Sequence, residues 1–541
     1  MPCSTPLSSM NSNAVSKPAR WEYLIPALTI ASFIVASFKA ATKRYFWIDE
    51  LQTFYLASDH SLRHMLSALA DRFTSAPPLF FSTAWAWAHL FGATETSLRV
   101  LSSLGICLAL AAVWLTLRRN YPFWPTTIAT LICFTCSQNI LYHNSEARPY
   151  GWFLGFCAVA VLLFDSANRK TNLSWGFLAA TALAHVLLIQ NHLFGVFYSG
   201  AILAAFLARD VVFKVFRPKL YLAVVAAWLS LLPVIPALIT QADAGKPRSC
   251  YYPPVTSDLI EALIIRSEFF VFALLVVVLI AAAQTVLAAW NRETVPAEGT
   301  DRSQAEASLL ILALAFVGLA VAIWVGSKVI YPIFLSRYVI PSSGLVWPIL
   351  LGAVFWRIFL NPQRLNRFTA LASNLLFIGL TAMLVLHPIN AAKGMKPEEL
   401  PGAQDKKFGY SELPLVVAFS HDFITRFHYS PDAKRYYFLL DWDAALDRRS
   451  GSFGPMEYKS MEALTRHYRD SLGNNVVQAN DFLKSNPRFL FLERTTPDTD
   501  FQYPYWFDQK VRNNPDYKVT PLGELPQKRL LLVEKTTGTD S

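Results

Sequence analysis

The chain has 541 residues, of which 53% are hydrophobic and only 16% are charged, with a formal net charge of +10. This composition excludes a large soluble protein and indicates an integral membrane protein. The basic residues stand in small groups between apolar runs, which is typical of short cytoplasmic loops and argues against nucleic-acid binding.

Eleven apolar runs have roughly the length of about 20 residues that a helix needs to cross a bilayer. They lie near 22–40, 99–117, 123–141, 149–166, 173–190, 193–209, 220–240, 268–290, 307–326, 339–358 and 368–388. The run 77–91 is shorter and begins with two prolines, so we expect an interfacial helix there. With residues 1–20 as a cytoplasmic tail, this count puts the basic loops on the cytoplasmic side.

The predicted architecture is therefore an all-α polytopic membrane domain over residues 21–388, followed by a C-terminal α/β domain over 389–541. The second domain is predicted because charged residues and prolines become frequent after 389, with short apolar segments between them. We expect strands at 413–419, 488–492 and 529–534. The same count places this domain on the extracytoplasmic side.

Polar residues that are rare at membrane depth gather in the predicted external loops. They are Asp49 and Glu50, then Glu146, Arg148 and Tyr150, then His192, and finally Lys328, Arg337 and Tyr338. Each has an ordinary explanation, because interfacial acids can be solvated, neighbouring charges can pair, a histidine can be a hydrogen-bonded fixture and an arginine can snorkel. Charged groups at a membrane nevertheless indicate a functional site.

Taken together, carboxylates and arginines on one membrane face suit a particular chemistry. A carboxylate can remove a proton from a nucleophile, and the guanidinium fork matches a phosphate leaving group. The pattern predicts group transfer from a lipid phosphate. A nucleotide is not needed, and the sequence carries no Gly-rich phosphate-binding loop.

Five motifs occur in a fixed order: Ile48-Asp49-Glu50, then 76–81 (APPLFF), 91–95 (FGATE), 98–102 (LRVLS) and 145–150 (SEARPY). In this order they resemble the polytopic GT-C glycosyltransferases. The branch is the bacterial one that groups with protein O-mannosyltransferases, aminoarabinose transferases of lipid A and rhizobial lipopolysaccharide sugar transferases. Ser336-Arg337-Tyr338, followed by Pro341, is similar to the late Arg-Tyr motif of that branch.

The resemblance implies an inverting transfer of a sugar from a polyprenyl-phosphate donor to an acceptor outside the bacterial cytoplasmic membrane. Asp49 matches the family's catalytic acid, and Glu50 would assist it or help to hold a cation. Glu146 and Arg148 match the family's second external motif, and Arg337 matches its late arginine; Arg148 is the better candidate for the donor phosphate. Lys328 is added from charge and position. The full predicted substrate-binding set is Glu146, Arg148, Tyr150, His192, Lys328, Arg337 and Tyr338.

One departure from the aminoarabinose branch leaves the metal question open. That branch has an acidic residue and a lysine before the proline of the interfacial helix, whereas Ser75 and Ala76 precede Pro77 here. The sequence therefore leaves a bound divalent cation possible without assigning its ligands, and no other cofactor is expected.

Two other functions and several acceptors remain open from the sequence. A transporter or flippase would also have many spans, but its polar residues would lie near the midplane of broken helices. A non-catalytic protein could bind lipid-linked sugars by means of the C-terminal domain. For the enzyme, a lipopolysaccharide, another envelope glycan, a lipid and a protein are all candidate acceptors.

Overall fold

The computed structural model describes residues 18–170, 172–247, 249, 251–290, 304–360, 365–447, 454–495 and 505–536. Most of the predicted cytoplasmic tail, 1–17, therefore lies outside the described residues. Helices dominate up to residue 394, and a small sheet follows. The predicted fold class, a helical membrane domain followed by an α/β domain, is confirmed.

Seventeen helices form the described part of the membrane domain. They are α1 (Leu24–Ala41), α2 (Ile48–Ala57), α3 (Leu62–Ala70), α4 (Leu79–Phe91), α5 (Glu95–Arg118), α6 (Phe123–Thr135), α7 (Gln138–Asn144), α8 (Tyr150–Asn168), α9 (Trp175–Asn191), α10 (Gly195–Val212), α11 (Pro218–Trp228), α12 (Ile235–Ala242), α13 (Thr256–Leu263), α14 (Glu268–Trp290), α15 (Gln304–Val329), α16 (Ile340–Ile358) and α17 (Arg367–Gly394). The loop between α1 and α5 contains three short helices, and α4 matches the predicted interfacial helix.

Nine helical stretches in the described ranges are long and apolar enough to cross a membrane, so the chain is a multi-pass membrane protein. The predicted spans near 123–141 and 173–190 correspond to shorter apolar helices, α6 and α9. The first of these runs is broken at Ser137, because its hydroxyl accepts the backbone N–H of Ile140 and so caps a new helix, α7.

Contacts between helix ends show which ends share a face of the membrane domain. Lys43, after α1, donates from Nζ to the carbonyl of Lys393 near the end of α17, at 2.6 Å. Asp49, in the first turn of α2, approaches Arg148, just before α8, and Arg337, just before α16. Eleven membrane crossings would place these helix ends on the same side of the membrane. The number of crossings stays a prediction.

Glycines let α5 and α8 approach each other closely. A Cβ atom on Gly105 would lie 2.3 Å from the backbone nitrogen of Trp152, and one on Gly151 would lie 2.3 Å from the carbonyl oxygen of Ser102. Small residues that allow such backbone contact are a common way to pack membrane helices. The contact fixes the turn before α8 against the first turns of α5.

The C-terminal domain is a six-stranded sheet with helices. Its strands are β1 (Leu415–Val417), β2 (Tyr436–Leu440), β3 (Val476–Gln478), β4 (Arg488–Arg494), β5 (Tyr517–Leu525) and β6 (Lys528–Lys535). The order is β3-β2-β1-β4-β6-β5, parallel from β3 to β4, with β6 antiparallel to both β4 and β5. The three predicted strands correspond to β1, β4 and β6.

Helices surround this sheet and connect it to the external loop of the membrane domain. They are α18 (Ser420–Tyr429), α19 (Trp442–Leu446), α20 (Gly454–His467), α21 (Arg469–Leu472) and α22 (Ala479–Ser485). At the end of α18 the Tyr429 hydroxyl donates to Glu95 at 2.6 Å and accepts the N–H of Phe46 at 2.9 Å. The domain therefore lies directly over the loop that carries Asp49 and Glu50.

Candidate active site

The candidate site begins where α2 starts. Trp47 is the extended residue before the helix, and the Glu50 side chain reaches back to its N–H at 3.4 Å. Acidic residues are favourable in the first turn, where free backbone N–H groups give a positive end. This local arrangement fixes Asp49 and Glu50 about 100° apart around the helix axis, so that they face different neighbours.

Glu50 points inward and is paired with Arg99 in the first turns of α5. Arg99 donates from Nε at 2.8 Å and from Nη2 at 2.7 Å to the two carboxylate oxygens, and both side chains are fully buried. Glu50 also accepts the N–H of Ala147 at 2.8 Å. The remaining Arg99 N–H groups reach the carbonyls of Arg44 and Tyr45. Glu50 is therefore occupied in joining three segments and is not free to hold a cation.

Asp49 faces two arginines instead. Its Oδ2 atom lies 4.0 Å from Nη2 of Arg148 and 3.8 Å from Nη1 of Arg337, and the Asp49 side chain is 20% exposed. These separations are ion pairs without close hydrogen bonds. One negative and two positive charges leave an excess of positive charge beside the carboxylate.

Arg148 is held by the backbone around it. Its Nη1 donates to the carbonyl of Asp49 at 2.9 Å, and its own carbonyl accepts the hydroxyl of Ser102 at 3.0 Å. Within the described ranges, Nε of Arg148 is buried without a hydrogen-bond partner. The same is true of Nε of Arg337. A buried, unsatisfied guanidinium donor is costly, and an anionic ligand would satisfy it.

Aromatic rings surround Arg337. Its guanidinium carbon lies 5.8 Å from the ring centres of Trp47 and Tyr150 and 5.6 Å from that of Tyr338. Such distances allow cation–π attraction. The rings fix the arginine beside Asp49, and they make a mainly apolar wall in which few water molecules can compete with a bound anion.

His192 joins this wall as a neutral ring. Burial, and then the charges of Arg148 and Arg337, lower the pKa of His192 to about 3. Its Nδ1 accepts the N–H of Phe194 at 3.2 Å, so the proton is carried on Nε2. The ring lies 5.3 Å from that of Tyr338. It can donate a hydrogen bond but cannot act as a cation.

Two of the predicted residues make other contacts. Glu146 is buried; its Oε2 lies 2.5 Å from Nδ1 of His143, and its Oε1 has no hydrogen-bond partner among the described residues. Lys328 is exposed, with its ammonium 4.9 Å from the ring centre of Trp324. The structure records no contact between Lys328 and the Asp49 group among the described residues. Of the predicted site residues, the structure thus brings together Asp49, Arg148, Tyr150, His192, Arg337 and Tyr338.

The C-terminal domain supplies a residue that the sequence analysis missed. His421, in the first turn of α18, has its ring centre 6.4 Å from that of Trp47. Burial lowers the pKa of His421 to about 4, against the attraction of Asp49. A cavity of about 410 Å³ lies between the external loop and the domain, with Trp47, Asp422 and Lys528 among its lining residues. No motif in the sequence connects these residues.

Comparison with known proteins supports the fold. No protein-family model and no curated protein matches the chain. ArnT from Cupriavidus metallidurans in the apo state superposes with a TM-score of 0.54 at 13% identity, covering 95% of this chain and 97% of that one. The same protein bound to undecaprenyl phosphate gives 0.50 at 13% identity, covering 95% and 98%. The archaeal oligosaccharyltransferase AglB from Archaeoglobus fulgidus, in complex with an inhibitory peptide and a dolichol-phosphate, gives 0.43 at 13% identity, covering 87% and 69%.

At this level of identity the likeness to ArnT concerns the fold. It extends over almost the whole of both chains. The predicted architecture, a helical membrane domain followed by a C-terminal domain, is therefore a fold shared with ArnT.

Proposed function

We propose that this protein is a glycosyltransferase that moves a sugar from a polyprenyl-phosphate donor to an acceptor on the external face of a bacterial cytoplasmic membrane. The observation that carries the proposal is the Asp49 carboxylate between Arg148 and Arg337, each of which has a buried donor without a partner among the described residues. A base beside two anion-binding groups is what transfer from a lipid phosphate requires. The fold and the undecaprenyl phosphate bound by ArnT are consistent with it.

The proposed reaction is a single displacement with inversion at the sugar. The acceptor hydroxyl loses its proton to Asp49 while its oxygen forms a bond to the anomeric carbon. The bond from that carbon to the phosphate oxygen breaks, and its electron pair stays on the phosphate. The polyprenyl phosphate product thus gains one negative charge, which Arg148 and Arg337 neutralise as it develops.

The other residues receive supporting roles in this proposal. Glu50 is a positioning residue, because its bonds to Arg99 and to the Ala147 N–H hold α2 against the turn that carries Arg148. Tyr150, His192 and Tyr338 would line the donor side, with the neutral imidazole of His192 as a hydrogen-bond donor. The acceptor would enter between the external loop and the C-terminal domain, through the cavity whose lining includes Trp47, the residue before α2.

The proposal includes an orientation and a set of partners. The N-terminus would be cytoplasmic and the C-terminal domain extracytoplasmic. Membrane lipids would surround the helices, and the acceptor would be a lipopolysaccharide, another envelope glycan, a lipid or a protein. A divalent cation is not assigned to this site, because the oxygens of Glu50 are already paired with Arg99.

The test compares the wild-type protein with Asp49→Asn in lipid nanodiscs, using radiolabelled polyprenyl-phosphate sugars and crude envelope acceptors. We expect Asn to lower the transfer rate by roughly two to four powers of ten, because general-base help is lost. Donor binding should persist, since removal of a negative charge leaves both arginines free for phosphate. Glu412→Gln, which changes an exposed acid of the C-terminal domain, is the matched control and should keep full activity.

Full activity in Asp49→Asn would overturn the catalytic assignment. Absence of transfer from every donor by the wild-type protein, with donor still bound, would favour the two alternatives, a flippase or a non-catalytic binding protein. Movement of the labelled lipid across a sealed vesicle would then distinguish between them.

A further inference from the structure

A second group of polar side chains lies at the other end of α2 from Asp49. Asp59 and His60 follow that helix, Ser61 caps α3, and His64 stands in the first turn of α3. Asp49 and Asp59 are ten residues apart, and a helical rise of 1.5 Å per residue separates them by about 15 Å. The group is thus distinct from the candidate active site.

The three side chains bring ligand atoms together. One ligand atom from each of Asp59, His60 and His64 lies within 4.8 Å of the other two. His64 Nδ1 is 2.5 Å from Asp59 Oδ2, and His60 Nδ1 is 3.5 Å from Oδ1. The two imidazole rings are nearly parallel, with centres 5.6 Å apart. The Asp59 carboxylate therefore contacts two imidazoles that are four residues apart in the sequence.

The carboxylate is oriented by groups behind it. The hydroxyl of Tyr468, from the C-terminal domain, donates to Asp59 Oδ2 at 2.9 Å, and the N–H of Ser61 donates to Oδ1 at 2.9 Å. Asp59 is buried, whereas the side chains of His64 and His60 are 35% and 86% exposed. Hydrogen bonds that orient a ligand from behind are typical of metal sites, and the exposed histidine gives an ion an entry path.

We propose that Asp59, His60 and His64 form a Zn²⁺ site. Imidazole nitrogen and carboxylate oxygen are ligands that Zn²⁺ accepts at about 2.0–2.2 Å, and tetrahedral ligands at that distance are about 3.4 Å apart. The ligand atoms of the three side chains lie within 4.8 Å of one another, and rotation of the largely exposed His60 side chain can adjust its distance from the other two. Three protein ligands leave a fourth position for water.

The site also connects two parts of the chain. Tyr468 and its neighbour His467 end the α20 region, and the ring of His467 lies 5.6 Å from that of His64. A second contact joins the same two segments, because Arg466 donates to Asp71, just after α3, at 2.8 Å. A bound ion would hold Asp59 in the geometry that Tyr468 contacts and would therefore stabilise the seating of the C-terminal domain on the external loop.

The experiment uses the full chain in nanodiscs after chelation, with Zn²⁺ measured by titration calorimetry and by metal analysis, and Co²⁺ as a spectroscopic probe. We expect about one tightly bound Zn²⁺ per chain and a rise in thermal midpoint on its addition. His60→Ala should weaken binding roughly tenfold or more, by loss of a ligand. The control His89→Ala, which changes an exposed histidine of α4, should bind as the wild type does.

His60 is suited to this test because its side chain is largely exposed and its removal leaves the buried bonds of Asp59 intact. His64→Ala provides a second variant, with its metal-free melting curve as the check on folding. Equal Zn²⁺ affinity in wild type, His60→Ala and His89→Ala, or no binding by the wild type, would overturn the proposal. The group would then be a hydrogen-bonded cap of α3.

Discussion

The Glu50–Arg99 pair and the Asp49 group are adjacent in the sequence but differ in environment. Glu50 is fully buried, with both oxygens at 2.7–2.8 Å from a guanidinium. The Asp49 side chain is partly exposed and lies 3.8–4.0 Å from two guanidiniums, whose Nε atoms have no partner in the described part of the chain. Both oxygens of Glu50 are thus bonded within the fold, whereas Asp49 makes no close hydrogen bond to either guanidinium.

Breaking the Glu50–Arg99 pair should have the largest effect on stability. Arg99→Ala leaves a buried carboxylate without its partner, which typically costs about 3–5 kcal/mol. We expect a lower unfolding midpoint in detergent for Arg99→Ala, and a change of less than about 1 kcal/mol for Asp49→Ala, whose carboxylate is partly exposed. A double change, Glu50→Leu with Arg99→Met, should recover part of the loss. Equal stability of Arg99→Ala and the wild type would contradict the structural role of the pair.

A third carboxyl, that of Glu457, is buried and accepts no hydrogen bond from a guanidinium in the part of the chain that the structure describes. Burial raises the pKa of Glu457 to about 7 from an ordinary 4.5, while the N–H of Ser420 at 2.5 Å opposes the shift. The folded state thus favours the protonated acid, so stability should fall as the pH rises from about 4.5 to 7 and level off above that.

Glu457→Gln should remove this dependence, which amounts to at most about 3 kcal/mol. Unfolding midpoints measured from pH 4.5 to 8 would check it, with the exposed Glu412→Gln as the control. The prediction fails if the two variants show the same pH profile.

A smaller effect, on ligand binding, is expected from a change at Arg337, one of the two arginines beside Asp49. Arg337→Ala removes a charged hydrogen-bond donor and should weaken binding of a polyprenyl phosphate roughly tenfold to a hundredfold, or about 1.4–2.7 kcal/mol. Lys328→Ala, on an exposed position away from the group, should change it by less than about 0.5 kcal/mol. Direct titration of the lipid into nanodiscs measures both. Equal losses in the two variants would return Arg337 to a snorkelling role.

Much of the fold and part of the site could be predicted from the sequence. Apolar runs identified eleven helices or helix pairs, and loop positions brought Asp49, Arg148 and Arg337 to one face. The sequence also predicts Lys328 in this group, because it shows where a helix ends but not the direction in which the last side chains of that helix point. The roles of the residues in the Asp49 group stay predictions.

The rest depends on contacts between distant segments. Glu50 and Arg99 are 49 residues apart and become a pair only when α2 packs against α5. His421 reaches the site from a domain whose docking leaves no periodic pattern. The cap at Ser137, by contrast, has a local signal, a serine before a helical turn, that could have predicted the break between α6 and α7.

The glycine contact between α5 and α8 has a consequence for how the site could be tuned. Gly105 lies six residues beyond Arg99 along α5, which is about 9 Å deeper in the membrane domain. A methyl group there would lie 2.3 Å from the backbone nitrogen of Trp152, so the two helices would have to move apart in the segment that follows Arg148. A substitution at Gly105 should thus alter the proposed donor binding without changing any residue of the Asp49 group.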